Sequence, residues 1–154
     1  MKALVAYYSR TGNTKKVAEA IAKAVTADTE EIISIKKRKG LFNYLLSGRE
    51  AMRKISAKIE PVKKNPEDYD IVIIGTPIWG FAVSSPIRAY AEYCKGKVKK
   101  TAFFSTAGGS SAKNTFNDLS SIIGIKPCGT IELKTSEVKT SSYFQKLKTF
   151  IEKF

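Results

Sequence analysis

The sequence of 154 residues contains no histidine and only two cysteines. Histidine is the commonest metal ligand and also activates the serine of hydrolytic triads, so its absence argues against both kinds of site. Cys94 and Cys128 form no CxxC pair, and two separate thiols without histidine do not make a zinc site. We therefore expect no metal centre and two thiols in a reducing compartment.

Long apolar stretches are also missing. No run approaches the roughly 20 residues that a membrane-spanning helix needs. The start, Met1-Lys2 and then a short apolar run, lacks the core and cleavage site of a signal peptide. We expect a cytoplasmic protein without a transmembrane segment. The length fits one domain, residues 1–154, in which roughly 70% of the unfolded surface can be buried.

Acidic residues are scarce: 14 Asp and Glu face 27 Lys and Arg, for a net charge of +13. Ten of the basic residues lie between Lys36 and Lys64, where only Glu50 and Glu60 oppose them. A solvated surface explains such a segment as well as a binding role does. If it binds, the charge favours an acidic redox partner through electrostatic steering. Nucleic-acid binding is disfavoured, because no recognised motif accompanies the charge.

Short apolar runs alternate with segments of helical periodicity along the whole chain. The pattern predicts an α/β fold in which helices cover both faces of a parallel sheet. The predicted strands are Ala3–Tyr8, Glu30–Ile35, Tyr69–Gly75, Thr101–Phe104 and Lys126–Leu133. The predicted helices are Lys15–Val25, Leu41–Ile59, a segment from a Ser84 or Ser85 cap to Gly96, Ala112–Ile123 and Tyr143–Phe154.

The loop Ser9–Thr14 joins the first strand to the first helix and consists of small polar residues around one glycine. Asn13 or Thr14 is expected to cap the helix, and Gly12 allows backbone geometry closed to other residues. Free amides at a helix start and several hydroxyls suit a phosphate dianion. An ordinary capped turn is the alternative. The signatures GxxxxGK[ST] and GxGxxG are absent, which favours a terminal monophosphate over a triphosphate or pyrophosphate.

Three loops carry a resemblance to a known family. The pattern S-x-T-G-N-T at Ser9–Thr14 resembles the FMN phosphate loop of the flavodoxin family. The sequence T-P-I-W-G at Thr76–Gly80 and the sequence S-T-A-G-G-S at Ser105–Ser110 resemble the ring-binding loops of a flavodoxin-like subgroup. The resemblance implies a single flavodoxin-like three-layer sandwich with a five-stranded parallel sheet of order 2-1-3-4-5. It places the three loops at the carboxyl ends of strands one, three and four.

The resemblance also implies which residues bind FMN. Trp79 is expected to cover one face of the isoalloxazine ring, although a core position is the alternative for this indole, and an ordinary turn is the alternative for the two glycines of the third loop. The implied cofactor-binding residues are Ser9, Arg10, Thr11, Gly12, Asn13, Thr14, Thr76, Pro77, Ile78, Trp79, Gly80, Ser105, Thr106, Ala107, Gly108 and Gly109.

The implied function is that of an FMN-binding electron-transfer protein shuttling electrons between redox proteins, such as an acidic ferredoxin or a reductase. The protein then needs no covalent side-chain chemistry. Two alternatives stay open: an FMN-dependent NAD(P)H or quinone-type oxidoreductase, and a basic interaction module with a vestigial flavin site. The chain departs from the family in its positive charge and in ring loops with no acid and no second aromatic. These departures predict an open ring face and a stabilised anionic reduced ring.

Overall fold

The computed structural model describes residues 1–35, 49, 55–109 and 111–154. The strands are β1 (Ala3–Tyr7), β2 (Asp28–Glu31), β3 (Ile71–Trp79), β4 (Ala82–Val83), β5 (Thr101–Ala107) and β6 (Thr130–Lys134). The helices are α1 (Asn13–Val25), α2 (Ser85–Cys94), α3 (Lys113–Ile123), α4 (Thr135–Thr140) and α5 (Phe144–Ile151), and a 3-10 turn spans Pro66–Asp68.

Five strands form a parallel sheet in the order β2-β1-β3-β5-β6, and the short β4 pairs antiparallel with the end of β3. The predicted order 2-1-3-4-5 is therefore confirmed, with β4 as an addition. Because β1 has β2 on one side and β3 on the other, the chain reverses its direction of winding at the β1–β3 pair. Ligands of open α/β sheets bind at the carboxyl ends of the strands at such a point.

Helices cover both faces of this sheet, as predicted. Alternate residues of β1 point to opposite faces: Leu4 packs in the core under α2 and α3, whereas Val5 packs in the core under α1, α4 and α5. On the second face the Phe104 ring of β5 lies directly against Gly75 of β3, so that even a methyl group at Gly75 would overlap the ring. This close approach packs the middle of β5 against the middle of β3, where the two strands are paired.

The second strand lies earlier than predicted. We predicted Glu30–Ile35, whereas β2 is Asp28–Glu31, a polar segment with three of its four residues exposed. Its backbone pairs with β1, and beyond it the chain turns so that Ser34 forms an antiparallel bridge with Ile59. The apolar residues after Glu31 placed the predicted strand too late in the chain. An edge strand needs only backbone pairing along one side, so it does not require apolar side chains.

The predicted charge run Lys36–Gly40, most of the predicted helix Leu41–Ile59, and Ser110 lie outside the described residues. The described end of that helix prediction, residues 55–59, is not helical, since Ile59 is engaged in the bridge to Ser34. That end of the prediction was wrong. No helix in the described parts of the chain has both the length and the apolar character needed to cross a membrane.

Candidate functional site

A cavity of about 420 Å³ opens at the carboxyl ends of β1, β3 and β5. Its volume lies in the range typical of small-molecule sites. The lining residues are Arg10, Thr11, Asn13, Thr14, Pro77, Ile78, Trp79, Thr106, Ala107, Gly108 and Thr135. Ten of these eleven belong to the three loops singled out in the sequence, so the fold brings together residues nearly a hundred positions apart.

One end of the cavity is polar and is formed by the start of α1. Gly12, not Asn13 or Thr14, occupies the cap position of α1, with a left-handed backbone at φ +92°. The predicted side-chain cap was wrong because this glycine turns the chain into the helix by itself. The Ser9 hydroxyl accepts a hydrogen bond from the Gly12 N–H at 3.1 Å, which fixes the loop.

The first turn of α1 favours an anion. It contains no acidic side chain, and the amides of a helix start carry the positive end of the helix dipole. The Asn13 amide donates to the Thr11 hydroxyl at 3.2 Å, so both polar groups stand at the same end of the cavity.

A buried pair of hydroxyls joins the first loop to the third. The Oγ1 atoms of Thr14 and Thr106 lie 2.8 Å apart, and both residues are almost fully buried. Thr14 is on α1 and Thr106 is on β5, so this hydrogen bond couples the polar end of the cavity to the strand that forms its floor.

The other end of the cavity is apolar and is formed by a β-hairpin where a loop was expected. β3 continues through Thr76–Trp79 and pairs with β4 across a two-residue turn. Thr76 is fully buried and does not line the cavity. Its hydroxyl lies 3.0 Å from that of Ser84, and it also accepts the Ser84 N–H at 3.3 Å. Ser84 occupies the cap position of α2, as predicted, but its hydroxyl makes no cap bond there and ties the hairpin together instead.

Trp79 belongs both to the core and to the cavity wall. Its side chain is only 6% exposed and packs edge-to-face against Tyr8, with ring centroids 5.4 Å apart. The Arg10 guanidinium lies over the indole, 6.0 Å from the ring centroid. A planar molecule stacked on that face would take the place of the guanidinium. The sequence allowed Trp79 either a core position or a position against the flavin ring, and the structure is compatible with both.

The third loop is divided between two cavities. Ser105 and Gly109 line a neighbouring cavity of about 290 Å³ with charged residues of β6, α4 and α5. Gly108 lines the larger one. None of the residues that the structure describes lies within 4 Å of a methyl group placed at Gly108 or Gly109, so these residues leave this side of the site open.

Thr135 lines the cavity and was missed in the sequence. It is the first residue of α4, a short helix that follows β6 directly. The carboxylate of Glu137 fixes this helix start by accepting the Lys134 N–H at 2.8 Å and pairing with the Lys146 ammonium at 2.6 Å. The Lys146 hydrogen bond, with that of the Lys134 amide, lowers the pKa of Glu137. In the sequence, the only available signal for Thr135 was its position as a polar residue directly after the last strand.

The electrostatics of the cavity are positive. Arg10 is its one charged lining residue among those that the structure describes, and no carboxylate is among them. Within the same described ranges, no group of acidic or sulfur side chains could hold a metal ion.

Comparison with known families gives one match: the model of the flavodoxin family matches residues 2–153. No curated protein matches the chain closely enough to count as a relative.

Three solved structures similar to this chain are described as flavoproteins. A flavoprotein from Lactobacillus acidophilus, crystallised in complex with FMN, has a TM-score of 0.75 and 24% identity, covering 92% of this chain and 98% of its own. A protein from Bacteroides eggerthii assigned as a flavoprotein has a TM-score of 0.76 and 27% identity, with 97% of each chain covered. Another from Bacteroides uniformis has a TM-score of 0.74 and 28% identity, covering 94% and 97%.

Proposed function

The chain belongs to the flavodoxin family, and from this premise we propose that it binds FMN in the cavity at the ends of β1, β3 and β5. We further propose that one flavodoxin-like domain, residues 1–154, carries electrons between redox proteins. The observation that supports this most directly is the division of the cavity into a polar end and an apolar end, which matches a molecule with a phosphate at one end and a flat ring at the other.

The residues present fit this cofactor. The start of α1 supplies helix amides and the hydroxyls of Thr11 and Thr14 for the phosphate. Pro77, Ile78 and Trp79 offer an apolar wall for the ring. The open space at Gly108 leaves room on the side away from the indole.

The sixteen residues predicted from the sequence form the proposed site in two groups. Ten line the cavity and would contact the cofactor. The other six support these residues or lie beside them: Ser9, Gly12, Thr76, Gly80, Ser105 and Gly109. Thr135 is added to the contact group.

When bound, FMN supplies the electron chemistry, since its ring accepts and releases electrons. The residues of the chain bind the cofactor, orient it and shield it. The α1 start holds the anionic end, the Thr76–Ser84 bonds keep the hairpin in shape, and the buried Thr14–Thr106 pair keeps the two sides of the site in register. Arg10, the charged residue of the cavity lining, would keep a positive charge near the ring, where negative charge develops on reduction.

The charge of the chain supports an acidic redox partner, such as a ferredoxin or a reductase. A net charge of +13 accelerates encounter with an acidic protein at low ionic strength, and salt screens this effect. Electron-transfer rates with an acidic ferredoxin should therefore fall steeply as salt rises. An electron-transfer rate that does not change with salt would contradict docking through the basic residues.

The decisive experiment for the proposal is the absorption spectrum of the purified protein, before and after addition of FMN and gel filtration. We expect a yellow protein that retains FMN and can be reduced and reoxidised reversibly. A colourless protein that passes FMN through the column, yet binds a polyanion such as heparin, would instead favour a basic interaction module with a vestigial site.

A second candidate is an FMN-dependent NAD(P)H or quinone-type oxidoreductase. The open space beside Gly108 and Gly109 favours it, because a substrate that reacts directly with the ring must reach one of its faces. Steady oxidation of NADPH by the FMN-loaded protein with a quinone as acceptor would select this function over electron carriage alone.

A further inference from the structure

The strand β6 lies at an edge of the sheet, because β5 is its one neighbouring strand within the described ranges. The pairing of the two strands includes the Phe103 N–H, which donates to the Gly129 carbonyl at 3.0 Å. Alternate residues of a strand direct their backbone groups to opposite sides, so Thr130 and Glu132 direct theirs away from β5. No other described residue forms a hydrogen bond with the backbone groups of these two residues.

This open stretch of backbone contrasts with its surroundings. The next N–H that points outwards, that of Lys134, is accepted by the Glu137 carboxylate at 2.8 Å, so the open stretch ends there. At the opposite edge of the sheet, the Lys63 N–H donates to the side chain of Glu30 in β2 at 2.9 Å. Native sheets cover or block their edges, because unpaired backbone groups are a template for another strand. The edge of β6 is therefore available for pairing.

A cavity flanks this edge on each face of the sheet. On the α5 face, a cavity of about 400 Å³ is lined by Lys146 and Lys153. On the α3 face, a cavity of about 570 Å³ is lined by Lys113 and Lys126. Both cavities also include the two open residues of β6. The side chains of a strand alternate between its faces, so a strand added to β6 would place side chains in both cavities.

The charges of the two cavities indicate the occupant. Each cavity is lined by two exposed lysines, and Glu132 is the one acid among the described lining residues of either. Lys113, Lys126 and Lys153 form no ion pair within the part of the chain that the structure describes. A second copy of this chain would bring the same lysines against each other, at a net charge of +13 per chain. An acidic segment would neutralise them.

We propose that the outer edge of β6 binds an extended acidic segment of a partner protein, which joins the sheet as a further strand. The backbone of that segment pairs with Thr130 and Glu132, and its carboxylates lie against the lysines of the two cavities. This inference goes beyond the proposed function. None of the residues on which it rests lines the cavity proposed for FMN, so it does not depend on FMN binding.

The test uses the acetylated and amidated peptide EEVVEE, which as a strand presents glutamate and valine on both faces. Two peptides are controls: KKVVKK reverses the charge, and EEVVEE with both valines N-methylated lacks two backbone donors. Because alternate residues of a strand face its neighbour, one of the two N-methyl groups always meets β6. Each peptide is titrated into the isotope-labelled full chain, with and without FMN, and NMR records amide shifts and amide hydrogen exchange.

We expect one EEVVEE to bind per chain and to protect the amides of Thr130 and Glu132 from exchange, with or without FMN. The N-methylated peptide should bind about tenfold more weakly, because backbone hydrogen bonds are lost, and KKVVKK should not bind. Lys126→Glu should weaken EEVVEE binding by about twofold to fivefold. Lys23→Glu makes the same change of charge on an exposed residue of α1 outside both cavities and should leave the affinity nearly unchanged.

An absence of protection at Thr130 and Glu132 with EEVVEE, or equal affinity for the N-methylated peptide, would overturn the inference. An equal loss of affinity in Lys23→Glu would overturn it too, since net charge alone would then explain the binding. Protection that rises with protein concentration in the absence of peptide would identify a second copy as the occupant and contradict the inference. The absorption spectrum reports FMN binding separately, so failure of the proposed function is distinguished from each of these outcomes.

Discussion

The polar end and the apolar end of the cavity are built in different ways. At the polar end, the consecutive residues Ser9–Thr14 contain the turn, the helix start and the hydroxyls, and Ser9 itself accepts the Gly12 N–H. At the apolar end, Trp79 depends on the Tyr8 ring, and the hairpin depends on the bond between Thr76 and Ser84. Local sequence therefore determines the anchor for the anion, whereas tertiary contacts determine the wall for the ring.

This difference predicts separable effects. Changes at the polar end should act on the phosphate and so distinguish FMN from riboflavin. Changes at the apolar end should act on stability and on both flavins alike, because both carry the same ring.

The largest effect is expected for Trp79→Ala. Removing a buried indole that packs on Tyr8 should lower the free energy of unfolding by about 3–5 kcal/mol. The affinities for FMN and riboflavin should fall by the same factor. Urea unfolding and titrations followed by flavin fluorescence measure the two effects, and Trp79→Phe should recover part of each. Undiminished flavin binding in a folded Trp79→Ala variant would show that the indole takes no part in binding the flavin.

The next effect is expected for Thr14→Val, which keeps the side-chain shape and removes the hydroxyl. A hydrogen bond to a charged group contributes about 1.5–3 kcal/mol, so FMN affinity should fall by about tenfold to a hundredfold. Riboflavin, which lacks the phosphate, should lose much less affinity, because only the Thr14–Thr106 hydrogen bond is removed from its site. Isothermal titration with both flavins measures this, and Thr149→Val on the exposed side of α5 is the control. Equal losses for both flavins would contradict a phosphate at this end.

Two glycines, one at the polar end and one in the third loop, give a sharper comparison of backbone requirements within the site. Gly12→Ala should lower the free energy of unfolding by about 1–2 kcal/mol, because alanine is strained at φ +92° although space for its methyl is available. Gly108→Ala has equal space without the left-handed backbone, and thermal unfolding should show almost no change. A loss at Gly108 as large as at Gly12 would show that the comparison of backbone requirements is wrong.

The smallest effect concerns Glu137, which holds the helix start that presents Thr135 to the cavity. Its pKa is lower in the folded protein than in the unfolded chain, so its contribution is complete above the unfolded pKa and is lost as pH falls through the folded one. Glu137→Gln should cost about 0.5–1 kcal/mol at neutral pH, since the group is partly solvated. The difference from the original protein should vanish in acid, as followed by chemical unfolding at several pH values. If the two proteins still differed in free energy of unfolding in acid, the difference would not arise from the Glu137 carboxylate.

Most elements could be predicted from the sequence, because strands buried on both faces and amphipathic helices such as α1 leave strong periodic signals. The sheet order was implied by the resemblance to the flavodoxin family, since periodicity does not specify which strands pair. The polar loop was also predictable, since its residues adjoin in the chain. The cap residue of α1 was not predictable. The choice of Gly12 over Asn13 depends on a backbone angle that the residue types alone do not determine.

The hairpin, α4 and the bounds of β2 could not be predicted. β4 has only two residues, too few for a periodic pattern, and it forms because the end of β3 offers it a partner. β2 is polar and is defined by its pairing with β1. Thr135 enters the site only because α4 begins directly at the end of β6.

The most direct measurement uses Trp79, the single tryptophan of the chain, as a reporter in the wall of the cavity. Titration of the apoprotein with FMN should quench its fluorescence to saturation at one FMN per chain, and riboflavin should do the same with lower affinity. Absence of quenching by FMN, or equal affinity for the two flavins, would contradict a cofactor held by its phosphate at α1 with its ring at the indole.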